Sequence, residues 1–229
     1  MHVPDGFLDA PTSVGTAVVA ATGVAVALRG ARRELDDRTA PLAGLVALFI
    51  FCTQMLNFPV AAGTSGHLLG GALAAVLVGP YTATLAITVV LLVQATLMAD
   101  GGITALGTNI TLMGLVGVWV GWLVFIGLRR VLPSRPVMVV PAAAVAALVS
   151  VPTAALAFSG LFEVGGTVDV PFPTVAGAMV GVHILIGIGE AVITGLAVGS
   201  IVAVRPDLVH GARPTLQTRT LEIREGVTA

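Results

Sequence analysis

The sequence predicts an all-α integral membrane protein of about seven transmembrane helices, with its N-terminus outside and its C-terminus in the cytoplasm. Three observations carry this. Of 229 residues, 56% are hydrophobic and only 10% charged, with a mean hydropathy of +1.02, whereas soluble domains are roughly 25% charged. The apolar residues gather into runs, most of them long enough to cross a ~30 Å hydrocarbon core, which takes ~20 helical residues. All 11 basic residues are arginines, confined to three stretches of chain.

In chain order the runs cover 12–29, 41–58, 66–79, 81–98, 107–128, 137–159 and 174–204. The third is short enough to be a half-buried or broken helix. Their Ala, Gly, Val and Leu content is that of helices packed through small residues, and it lacks the alternating ten-residue strands of a barrel. Gly70, Gly71, Gly114, Gly117, Gly121, Gly181 and Gly195 read as packing positions. Arg29, Arg32, Arg33 and Arg38 follow the first run, Arg129, Arg130 and Arg135 the fifth, and Arg205, Arg213, Arg219 and Arg224 the last. With seven spans every arginine lies on one side, the cytoplasm by the positive-inside rule. Six or eight spans scatter them. The expected organisation is therefore one transmembrane domain over 1–204 and a short cytoplasmic tail over 205–229, in a multi-pass protein of a prokaryotic cell membrane. Cys52, the single cysteine, allows no disulfide framework and reads as a core filler. A net charge of −1 without a basic patch argues against nucleic acid. Membrane lipid is the expected surroundings.

The segments assigned outside carry His2, Asp5, Asp9, His67, Asp100, Asn109, Glu163 and Asp169 and no arginine, a surface that concentrates cations. No basic n-region or small-residue cleavage site precedes the first run, so no signal peptide is expected to be removed. His2 is large, so Met1 is expected to remain. The Met1 amine, the amide nitrogen of His2 and its Nδ1 then close a five-membered and a six-membered chelate ring around one metal. His67, in Gly63-Thr64-Ser65-Gly66-His67, offers a fourth nitrogen, completing a square that suits Ni(II) or Cu(II) better than tetrahedral Zn(II).

The Gly-rich stretch from Asp100 to Asn109 reads as an ordered re-entrant loop. Asp5, Ser65, Asp100 and Asn109 are expected to hold the ligands or their loops in place. His183 and Glu190, seven apart in the last run, share a helix face. An intramembrane carboxylate needs a partner, here a hydrogen bond within the bundle or a contact with a coupling protein. His183 reads as a core histidine, and Gln94 and Asn57 as interhelical hydrogen-bonding groups. A competing reading takes Gly63-Thr64-Ser65-Gly66 as the G-x-S-G pattern of a rhomboid-type intramembrane serine protease, with Ser65 as nucleophile and His183 as base. That four-residue pattern leaves Met1-His2 and the acidic loops without a role.

Three motifs together, Met1-His2-Val3-Pro4-Asp5-Gly6-Phe7-Leu8, Gly63-Thr64-Ser65-Gly66-His67 and Asp100-Gly101-Gly102-Ile103-Thr104-Ala105-Leu106-Gly107-Thr108-Asn109, resemble the CbiM/NikM family. These are the substrate-binding membrane subunits (S components) of energy-coupling-factor transporters for cobalt and nickel. Pro4-Asp5 is similar to the nickel-type branch, since cobalt-type relatives tend to have Met-Glu there. The resemblance implies that Ni2+ or Co2+ is the transported substrate, held by the Met1 amine, the His2 amide and imidazole, and an imidazole matching His67. It implies a transporter subunit, not an enzyme, working with a transmembrane coupling protein (T component), two cytoplasmic ATPase subunits and a small accessory membrane subunit. No ATP is expected on this chain, which has no lysine and hence no G-x-x-x-x-G-K-[ST] loop.

Overall fold

A computed structural model describes residues 1–36, 39–56, 58–59 and 65–216, with only the backbone described at Phe58, Pro59 and Ser65. Asn57, Arg38, Gly63, Thr64 and the tail beyond 216, with Arg219 and Arg224, lie outside the described residues.

The chain folds as an apolar helical bundle. Helix α1 (Ala10–Glu34) starts where the Asp9 side chain accepts the Thr12 amide at 2.9 Å, a cap that satisfies one orphan N–H. It buries only a stripe of Thr16, Ala20, Ala27, Ala31 and Glu34 and turns Val14, Val18 and Leu28 outward, as a lipid-facing helix must. Helix α2 (Thr39–Gln54) follows. Then come two short strands, β1 (Phe58–Pro59) and β2 (Ser65–Gly66), paired antiparallel with Phe58 opposite Gly66. Helix α3 (Gly71–Val78) has all eight residues buried and lies at the centre of the bundle. Helix α4 (Pro80–Leu97) turns back along it after Gly79, whose φ of +95° only glycine adopts freely.

A loop leads to α5 (Leu106–Asn109), which runs on as a π-helical stretch, Ile110–Gly117, into α6 (Val118–Val131). The hairpin of α7 (Val139–Gly165) and α8 (Phe172–Val204) completes the bundle, and residues 206–215 fold back as two 3-10 turns. Gly211 of the second turn packs under Phe125, and the Arg213 guanidinium lies 3.9 Å from Asp36. Arginine-bearing chain segments thus meet at one end of the bundle.

Among the described residues, five helical spans are long and apolar enough to cross a membrane: Ala10–Glu34, Pro80–Leu97, Leu106–Val131, Pro136–Gly165 and Phe172–Val204. The other two expected spans are shorter. The run over 41–58 stops being helical at Gln54, and the run over 66–79 holds an eight-residue helix behind a non-helical stretch, 67–70. The expected loop over 100–109 is non-helical only to Ala105; Leu106–Asn109 opens a helical span.

Three further expectations are corrected. Cys52 is exposed on α2, so it fills no core. Gln94 is fully buried, yet its side-chain amide has no hydrogen-bond partner among the described residues. Gly181 has open space where a Cβ would stand, whereas at Gly107 that position is filled by Ala17 and at Gly121 Ala72 Cβ is 2.7 Å away. The close helix contacts therefore fall on α1/α5 and α3/α6.

Candidate metal centre

The first nine residues are built into the end of the bundle remote from the arginines. Asn109 holds Val3 from both sides: its Oδ1 accepts the Val3 N–H at 2.8 Å and its Nδ2 donates to the Val3 carbonyl at 3.2 Å. The same carbonyl accepts the Gly102 N–H at 2.9 Å. Asp5 Oδ1 accepts the Thr104 N–H at 2.7 Å and the Thr104 hydroxyl at 2.5 Å, which holds its carboxyl below the usual carboxylate range. Phe7 packs between Phe158 and Phe162, with ring centroids 5.9 and 5.5 Å away. The Asp9 N–H donates to the Gly165 carbonyl at 2.7 Å, and the Thr167 N–H to the Phe7 carbonyl at 3.1 Å. Apart from the Phe7 N–H, which donates to the Pro4 carbonyl at 3.4 Å, the nine-residue segment needs partners from outside itself for its backbone groups. These loops supply them, so Met1 can be 1% exposed and His2 5% exposed.

His2 meets His67 edge to face, with centroids 4.5 Å apart and planes at 81°. His67 is fully buried. Its Nδ1 contacts the Leu68 carbonyl at 2.8 Å, so Nδ1 carries the proton and Nε2 keeps a bare lone pair. His2 is arranged alike: Nδ1 contacts the Asp100 carbonyl at 3.0 Å and lies 3.3 Å from the Asp100 carboxylate, and Nε2 has no partner among the described residues. The chelate expected above uses Nδ1 of His2. Here that atom faces Asp100, and closing the six-membered ring requires the imidazole to turn about Cβ–Cγ, a rotation that keeps the ring in nearly the same volume.

Burial pushes the Met1 amine well below its ordinary value of 8.0, against the opposing pull of Asp100. Burial, then the neighbouring amine, lowers His2 to about 4, with Asp100 again opposing. In both, burial favours the neutral form, whose lone pair a divalent metal can take.

Of the residues expected at the site, Met1, His2, His67, Asp100 and Asn109 come together, and Asp5 ties the segment to the loop beside them. Ser65 lies in β2, and its side chain is outside what is described. His183, expected as a core residue, is also here. It is buried, its Nδ1 lies 2.7 Å from the Met179 carbonyl, its Nε2 has no partner among the described residues, and it is within electrostatic reach of the Met1 amine and His67. Thr104 and Val3 carry no sequence signal of their own. Among the described residues, no three His, Cys, Asp or Glu side chains form a ready metal cluster.

Fold and site define a helical membrane protein that encloses its own terminal amine with the imidazoles of His2, His67 and His183 within one end of the bundle. The chain belongs to the CbiM family, described as the cobalt uptake substrate-specific transmembrane region, whose model matches residues 2–208. It is thus a multi-pass component of a prokaryotic cell membrane. It is 40% identical over 211 residues to a protein of Haloquadratum walsbyi assigned to metal transport, covering 91% of this chain and 93% of that one. It is 34% identical to the fused nickel transport protein NikMN of Rhodobacter capsulatus, covering all of this chain and 70% of the fused protein. A crystal structure of a truncated transition metal transporter superposes with a TM-score of 0.80 at 30% identity, covering 89% of this chain and 99% of that one. Neither these relatives nor the site geometry supports the protease reading of Ser65 and His183.

Proposed function

We propose that this chain is the substrate-capture subunit of an ATP-driven energy-coupling-factor importer for Ni(II) or Co(II), with the N-terminus facing outside. One observation carries the reading: the terminal amine and His2 are buried together, and the His2 ring packs edge to face on His67. Metal ligation by the Met1 amine, the deprotonated His2 amide, the His2 imidazole and His67 gives a planar four-nitrogen set. Nickel is the favoured cargo, because such a set suits Ni(II) and Pro4-Asp5 matches the nickel-type pattern.

ATP hydrolysis is supplied by a transmembrane coupling protein with two cytoplasmic ATPases. The extra length of the fused nickel relative supports a small accessory membrane subunit as a further partner. Residues 205–229 then form the cytoplasmic tail.

The test is nickel loading of full-length protein tagged only at its C-terminus. Wild type is expected to retain one metal ion per chain with a square-planar d–d band. His67→Ala is expected to lose it on washing, and Ser65→Ala to keep it. A wild type that retains neither Ni(II) nor Co(II) overturns the reading.

A further inference from the structure

His67 is followed by Leu68, Leu69 and Gly70, a stretch without regular structure inside the bundle, where every backbone group needs a partner. Two partners come from one side chain on α8. Glu190 Oε2 accepts the Leu69 N–H at 2.7 Å, and Oε1 accepts the Gly70 N–H at 3.0 Å. From the opposite side Gln54 of α2 donates Nε2 to the Leu69 carbonyl at 2.8 Å. Gly70 sits at φ +76°, and Ile50 Cγ1 stands 2.8 Å from where a Cβ would be. The peptide after His67 is thus gripped from α2 and α8 with no free space.

A helix start such as that of α3 is ordinarily capped by a short Ser, Asn or Asp from its own chain. Here the acceptor is a carboxylate only 2% exposed, 120 and 121 residues further along the chain. Burying an ionisable group in mid-bundle is costly, and what it gains over a local cap is a tie between a distant helix and the His67 peptide. The same face of α8 carries His183 two turns away, beside the amine and His67.

We propose that Glu190 is a positioning residue of the metal centre: by holding the Leu69 and Gly70 peptides it sets where His67 presents its imidazole, so metal retention depends on where α8 stands. This rests on His67 being a metal ligand. Any motion that draws α8 away from α2 pulls the fourth nitrogen from the metal while leaving the N-terminal three nitrogens in place.

The experiment is a double-mutant cycle on full-length, C-terminally tagged protein, with equilibrium Ni(II) titration and d–d spectra of wild type, Glu190→Gln, His67→Ala and the double variant. Supporting groups around metal ligands are worth about 10–100-fold in affinity. Glu190→Gln is therefore expected to weaken nickel at least about tenfold in the wild-type background. In the His67→Ala background it is expected to change nothing, and its spectrum is expected to move toward that of His67→Ala. Equal losses in both backgrounds, or no loss in either, overturn the proposal. If Glu190→Gln does not fold, Gln54→Leu frees the same peptide from the other side and is read in the same cycle, with the same outcomes decisive. Nickel binding untouched by His67→Ala overturns the ligand reading itself. Binding weakened by His67→Ala but not by Glu190→Gln overturns only the positioning role.

Discussion

Asn109 illustrates how single residues build this site, because its amide reads both polar groups of Val3 and so fixes the depth to which Met1 and His2 insert. Asn109→Ala leaves the buried Val3 N–H without that partner, a cost of about 1–3 kcal/mol, while the Val3 carbonyl keeps the Gly102 N–H. It is expected to weaken nickel binding about 10–100-fold in a titration, with little change in helical circular dichroism. Gly101 is as demanding: its φ is +90° and a Cβ there would stand 3.0 Å from His2 Nδ1. Gly101→Ala is therefore expected to lower affinity by crowding His2 without replacing any ligand. The pH dependence has a definite sign. Burial lowers the proton affinity of the amine and of His2, so the undocked segment binds more protons than the docked one. Docking is then fully favourable above the amine's ordinary value of 8.0 and weakens as pH falls, with His2 adding its share between 6.5 and about 4. Nickel affinity is expected to fall steadily from pH 8 to pH 6. Affinity that rises over that range contradicts a buried neutral amine. Met1, His2 and His67 were legible as metal-capable from donor chemistry alone. The nitrogen that each ring leaves bare was not, because it depends on carbonyls at Asp100 and Leu68 whose directions only the folded backbone sets.

At the scale of elements, long apolar runs announced the five full spans, and hydropathy had no means to find the ends of the other two. Within an apolar run a helix stops where something else satisfies the backbone. At 67–70 that something is Glu190 and Gln54, remote in sequence. The start of α4 repeats the device. Glu34, at the end of α1, accepts the Tyr81 N–H at 3.2 Å and the Thr82 N–H at 2.7 Å, tying α1 to α4. Glu34→Ala exposes no new surface but leaves those two amides unpaired. A loss of about 1–3 kcal/mol is expected, visible as a lower midpoint of thermal unfolding in detergent. The glycine pattern was only partly readable, since a glycine facing lipid and one facing a neighbouring backbone look alike in sequence. Gly107, pressed on Ala17, and Gly181, facing open space, are such a pair.

Taken whole, the molecule places the terminal amine, the His2 and His67 imidazoles and the Asp5 and Asp100 carboxylates at one end, and the described arginines, accompanied by Glu34, Asp36, Asp207 and His210, at the other. In a Cys52→Ala background, a cysteine at exposed Asp169 is expected to react with an impermeant maleimide on intact cells, and one at exposed Arg130 only after lysis. The reverse pattern would invert the proposed topology. The partners of the first nine residues lie far along the chain: Asp100, Asn109, and then Gly165 and Thr167, the last of them 160 or more positions away. Those partners are synthesised long after Met1 and His2, so this segment cannot take its place until they have been made. A nascent chain released before α7 is complete lacks the Phe158, Phe162 and Gly165 seat for Phe7 and Asp9, and on the proposed ligand set is expected not to hold metal. On the proposed ligand set, the capacity to hold metal is therefore expected to arise only once the chain has been made through Thr167.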